Sequence, residues 1–183
     1  IDVINKYNPD LIYYDDTSLP LWPISDVGLK ILSHFYNKSL KYNNGKNEAV
    51  AFAKILTDEQ KNALVWDVEK GIPDKIQEKP WQTCTCLGVW HYDRSIYEND
   101  HYKSAKTVIH MLIDIISKNG NLLLSIPQRG DGTIDDKELK ILEDIAAWMA
   151  VNSDGVYGTR PWKVFGEGPV AEAPNPIQAQ GFN

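Results

Sequence analysis

Apolar and polar positions along this chain follow two rhythms. DLIYY (10–14), AVAF (49–52), ALVWDV (63–68) and NLLLSI (121–126) are short apolar runs with no period-two break, the pattern of strands buried on both faces. Between them apolar residues recur at helical spacing. A helix of about four turns carries Ile31, Leu32, Phe35 and Tyr36 on one face, with Ser25 or Asp26 as its cap and NNGKN as its end. The clearest helix runs through Ala105, Val108, Ile109, Leu112, Ile113 and Ile116 and stops at Lys118-Asn119-Gly120, a basic last turn before a glycine. A third runs through Leu139, Leu142, Ile145, Ala146 and Met149 to NSDG. Thr57 and Gln60 make a T-x-x-Q cap for a brief turn, GIPDKIQEKP and PQRGDGTIDD read as loops, and TCTCLGVWHY reads as extended.

Buried strands alternating with amphipathic helices predict an α/β fold of parallel βα units. Strands expected at 9–14, 49–53, 63–68, 81–86, 120–126 and 161–165 are too few to close a barrel and suit the later part of one. Residues 1–165 then form a partial barrel, and 166–183 an irregular exit. The GDG turn after 121–126 lacks the G-K-[ST] ending of a phosphate loop and is expected to be a tight turn.

Composition narrows the function. At 183 residues and 43% hydrophobic the chain suits one domain with a sizeable core. A formal charge of −6 and a pI near 5.2 argue against nucleic acid or an anionic membrane as partner and favour an uncharged substrate. No apolar stretch approaches the ~20 residues of a membrane span. Cys84 and Cys86, as C-x-C on one strand, face the same side, where a mutual disulfide is strained; they read as small buried thiols. With no second Cys/His pair at ligand spacing, neither a metal nor a cofactor is expected. Six Trp and nine Tyr supply either a sugar cleft or a core.

The candidate chemistry lies at strand ends. In NPDLIYYDDTSLPLW a buried run finishes in Asp15 and Asp16, and ALVWDV is followed by Glu69. Parallel β/α folds gather their chemistry at the C-terminal ends of strands, and two carboxylates from different strands are what a glycosidase needs. The same acids also read as turn and loop chemistry, since Asp-Asp-Thr-Ser caps turns well.

KYNPDLIYYDDTSLPLW, ALVWDVEKG, PWQTCTCLGVWHYD, SKNGNLLLSIPQRGDGTID and GVYGTRPW, in this order and spacing, resemble family 29 α-L-fucosidases over residues 5 to about 169, most of all the bacterial branch acting on α-1,3/1,4-linked fucose. The resemblance implies a retaining exo-glycosidase on a (β/α)8-type barrel, present here from about its fourth strand. It places the nucleophile on Asp15, with Asp16 as runner-up, and the general acid/base on Glu69. PWQT…VWHY becomes an aromatic wall with Trp90 against the fucose C5 methyl and His91 beside it; Trp81 and Trp22 are subsite walls or core. Where relatives carry an arginine near the strand AVAFAKI, this chain has Lys54. The carboxyl groups of Asp15 and Glu69 are expected about 5–5.5 Å apart, the retaining distance. Implied partners are a fucosylated oligosaccharide or glycoconjugate and the N-terminal half of the barrel, from the same or a separate polypeptide; a secreted or periplasmic location is what relatives suggest. The alternative is a non-catalytic carbohydrate-binding or scaffold barrel fragment.

Overall fold

A computed structural model describes residues 1–15 and 18–169, so Asp16 and the exit segment beyond 169 lie outside the described residues. The chain divides into two compact units, Ile1–Asp67 and Val68–Asn183.

The first unit contains helix α1 (Asp2–Tyr7), strand β1 (Leu11–Tyr14), helix α2 (Val27–Tyr42), strand β2 (Val50–Ala53) and most of strand β3 (Val65–Glu69). β1 and β2 pair in parallel with Tyr13 opposite Phe52, and β2 pairs β3 in parallel with Phe52 opposite Val65. Period two divides these strands between two faces. Ile12, Tyr14, Ala51, Ala53 and Leu64 meet Leu32 and Phe35 of α2 in one core, so helix and strand periodicities close on the same apolar cluster. Asp26 is the N-cap of α2 but makes no side-chain cap bond, pairing instead with Lys30 one turn on, while the Ser25 hydroxyl just before it accepts from the Val27 amide at 3.2 Å. α1 was not signalled by the sequence, because it is too short to show a period. It is held by burial of Ile4 and by a 2.6 Å bond from Lys38 Nζ to the Ile4 carbonyl.

The second unit contains the end of β3, then strand β4 (Trp81–Cys86), helices α3 (Arg94–Asn99) and α4 (Ala105–Ser117), strand β5 (Gly120–Ser125) and helix α5 (Asp136–Asn152). β4 and β5 pair in parallel from Trp81 opposite Gly120 to Cys86 opposite Ser125. All six β4 residues are buried, as expected of a strand covered on both faces, and Cys84 and Cys86 are buried thiols outside any disulfide, as the pattern predicts. α4, capped by Ser104 Oγ on the Thr107 amide, buries Val108, Met111 and Ile115. Ile113, counted in the apolar stripe, stays exposed because the helix is apolar around most of its girth and only one side meets the sheet. The GDG segment is a turn: Arg129 N donates to Thr133 O, Gly132 N to Arg129 O, and Gly132 has a φ of 83° that favours glycine.

The expected strand at 161–165 does not form. These residues are irregular, with Trp162 and Val164 exposed, and among the described residues no strand pairs with them. Apolar content alone does not make a strand where no ladder partner exists. The parallel strands, the interleaved helices and the covered core are otherwise the α/β class the sequence predicts.

Candidate active site

In the first unit, the candidate residues lie on the sheet face opposite α2. Tyr13 and Asp15 leave β1 on that face, as do Phe52 and Lys54 on β2 and Asp67 on β3. Asp15, at the C-terminal end of β1, forms an ion pair with Lys54 (Nζ to Oδ1 2.7 Å); the lysine side chain is 15% exposed and the aspartate 67%. The lysine thus grips one carboxylate oxygen while solvent reaches the group from outside. Beneath this pair the Tyr13 and Phe52 rings lie 6.5 Å apart, and the Tyr13 hydroxyl donates to Asp67 Oδ2 at 2.7 Å. Asp67 is 1% exposed. A carboxylate so deep is tolerated only when hydrogen-bonded, and a phenol donor is a strong one. Trp22, at 44% exposure, sits in the turn-rich stretch before α2.

In the second unit, Glu69 is the exposed last residue of β3. The strand is held to β4 on either side of it: Thr83 Oγ1 donates to Val68 O at 2.8 Å, and Lys70 N donates to Cys84 O at 2.9 Å. Lys70 turns sharply out of the strand (φ 49°) and lays its ammonium 5.1 Å from the centroid of Trp90, which is half-buried; the neighbouring His91 is exposed. Trp90 therefore has a cation on its ring and an aromatic surface at the strand end. Trp81 goes the other way. It is 1% exposed, its indole N–H donates to Lys118 O at 2.9 Å, and its ring fills the space above Gly120. Of the two readings open for Trp81, wall or core, its burial selects core.

A second buried acid group lies where α5 begins. Asp135 and Glu138 both have no exposed surface; Asp135 caps the helix through the Glu138 amide (2.8 Å) and accepts from Tyr102 Oη at 2.6 Å. Burial first, then the Asp135 charge, push the Glu138 carboxyl up to about 7, against an opposing pull from Arg129. The same contacts raise the Tyr102 phenol well above its ordinary value, burial again leading. Among the described residues no group of three or more His, Cys, Asp or Glu could hold a metal ion.

The family model for alpha-L-fucosidase matches residues 1–154. The chain belongs to the alpha-L-fucosidase family. Its curated fucosidase relatives include the enzyme of Dictyostelium discoideum (26% identical over 174 residues) and the tissue alpha-L-fucosidase of Homo sapiens (26% over 175). Each alignment covers 89% of this chain but only 35% and 34% of those proteins, so the chain spans about a third of the length of its fucosidase relatives. A solved alpha-L-fucosidase superposes with a TM-score of 0.73 at 24% identity, and the Thermotoga maritima fucosidase in complex with fucose with 0.66 at 24%; each covers 88% of this chain and 34% of that one. At that identity the likeness establishes the fold, part of a (β/α)-type barrel.

Sequence reasoning singled out Asp15 and Glu69 as candidate acids but not Tyr13, Asp67 or Lys70 on the same strands and turns. The signal was present: Tyr13 and Asp67 each stand two residues before a candidate acid, hence on the same strand face.

Proposed function

We propose that this chain is the later part of the catalytic barrel of a retaining exo-α-L-fucosidase that releases terminal α-linked L-fucose from oligosaccharides or glycoconjugates. The observation that carries the reading is Asp15: an acid at the C-terminal end of a parallel strand, open to solvent and fixed by Lys54 at 2.7 Å. A nucleophile needs this combination of access and fixed orientation. Asp15 attacks the anomeric carbon as the glycosidic C–O bond breaks, and Glu69 gives its proton to the departing oxygen. Glu69, now a carboxylate, takes a proton from water, which opens the fucosyl ester and frees Asp15 with net retention. Trp90 offers its ring to the C5 methyl, the apolar feature that marks a 6-deoxy sugar. The remaining wall of the pocket comes from barrel strands outside these residues, in the same or another polypeptide.

The test is hydrolysis of an aryl α-L-fucoside by the full-length protein, with the first-formed anomer followed by NMR. Release of α-L-fucose, abolished by Asp15→Asn, is the expected result. Fucose binding without turnover would assign the barrel to a binding role, and release of the β anomer would refute double displacement.

A further inference from the structure

Tyr13 and Asp67 make a bond that packing alone does not require. Tyr13 stands opposite Phe52 on β2, and Phe52 opposite Val65 on β3, so the phenol passes over an entire strand to reach Asp67. With neighbouring strands about 4.8 Å apart, this link spans roughly 10 Å and joins two strands that share no ladder of their own. Its acceptor is a carboxyl group at 1% exposure, where losing a hydrogen bond costs more than it would at the surface. A phenylalanine at position 13 could fill the same space beside Phe52, so the hydroxyl is there for the bond.

The positions in sequence give the bond its meaning. Tyr13 precedes Asp15 by two residues on β1, and Asp67 precedes Glu69 by two on β3. Alternation along a strand sets each of the four side chains on the face of its strand that carries its i±2 neighbour. Lys54, which holds Asp15 at 2.7 Å, likewise stands two residues beyond Phe52, the residue the phenol crosses. A tie one step below Asp15 restrains the rise and tilt of that strand end.

Resting on the fucosidase reading above, we infer that Tyr13 and Asp67 are positioning residues for the double-displacement reaction: their cross-strand hydrogen bond sets the height and orientation of the strand end from which Asp15 acts. Neither supplies a proton or a bond to the sugar. Their contribution is to the alignment of groups that do, and misalignment of about 1 Å costs on the order of 100-fold in rate.

The experiment is a double-mutant cycle in the full-length protein: Tyr13→Phe, Asp67→Ala and the pair, with kcat referred to the number of sites that a covalent fucosyl inactivator can label. Counting sites this way removes any loss from unfolded protein. Each single variant is expected to lower kcat per site by about 10- to 100-fold with KM changed less than about threefold, and the double variant to be no slower than the worse single. Asp67→Asn, which keeps an acceptor oxygen, is expected to recover part of the loss of Asp67→Ala. Additive losses, or an unchanged kcat per site in Tyr13→Phe, overturn the inference while leaving the fucosidase reading intact. A wild-type protein that labels nowhere and turns nothing over overturns both.

Discussion

Replacing Glu138 by glutamine removes a titration that the fold has displaced far from its ordinary range. In the unfolded chain this carboxyl titrates near 4.5, and in the fold near 7, with burial the larger cause and Asp135 the second. Below about pH 4.5 both states hold the proton and the fold has the full benefit. Between 4.5 and 7 the unfolded chain releases its proton while the folded chain does not, so stability falls as pH rises, and above 7 the benefit is gone. The 4.5-to-7 displacement corresponds to about 3 kcal/mol at about 1.4 kcal/mol per unit; relaxation around a newly charged carboxylate trims the expected loss to about 2 kcal/mol. The surroundings support the sign. Among the described residues neither Glu138 oxygen has a hydrogen-bond partner, Asp135 stands beside it as a second acid, and Arg129 is the cation that opposes the shift. Urea denaturation of wild type and Glu138→Gln at pH 5, 6.5 and 8, followed by circular dichroism, reads the effect as a difference, which cancels whatever the two proteins share. The wild type is expected to lose about 2 kcal/mol more than the variant between pH 5 and 8. Parallel curves for the two proteins would refute the assignment of the shift to this buried carboxyl.

Other consequences are as direct. A Cβ on Gly120 would lie 2.5 Å from the Trp81 ring and 2.8 Å from Ile115 Cγ2, so Gly120→Ala is expected to cost about 1–3 kcal/mol in chemical denaturation; a neutral result would mean that β5 and α4 yield freely there. Trp81→Phe removes the donor to Lys118 O and is expected to destabilise by about 1–2 kcal/mol with KM for an aryl fucoside unchanged. Trp90→Ala is expected to do the reverse, lowering kcat/KM by about tenfold with little loss of stability, and equal behaviour of the two tryptophans would contradict the division into core and wall.

The βα units were legible because β1, β2, β3 and β5 lie in short apolar runs, whereas β4, WQTCTC, showed only as extended structure. The long helices α2, α4 and α5 were legible because each repeats apolar residues at helical spacing, with α2 and α4 packing on strands and α5 on α4. α1 and α3 were not. Each is six residues long, too short for a period, and α3 depends on local and distant polar contacts: Asp93 caps it, and Tyr97 reaches Asp136 at the start of α5. The end of the apolar runs at Asp15 and Glu69 was visible in the sequence, whereas the bond between Tyr13 and Asp67, 54 positions apart, depends on which strands become neighbours. Trp81 and Trp90 look alike in the sequence. Only their places in the fold distinguish them: Trp81 on β4 turns toward Ile115 and Gly120, and Trp90 lies beyond the end of β4, under Lys70.

The nucleophile is tested most directly by covalent capture. An activated 2-deoxy-2-fluoro-L-fucosyl donor slows both steps through its fluorine and lets the fucosyl ester accumulate, and peptide mass spectrometry with fragmentation then reads which carboxyl carries the sugar. The account predicts a single adduct on Asp15, resolved from its neighbour Asp16. An adduct on any other residue, in a protein that turns over fucosides with retention, would contradict it.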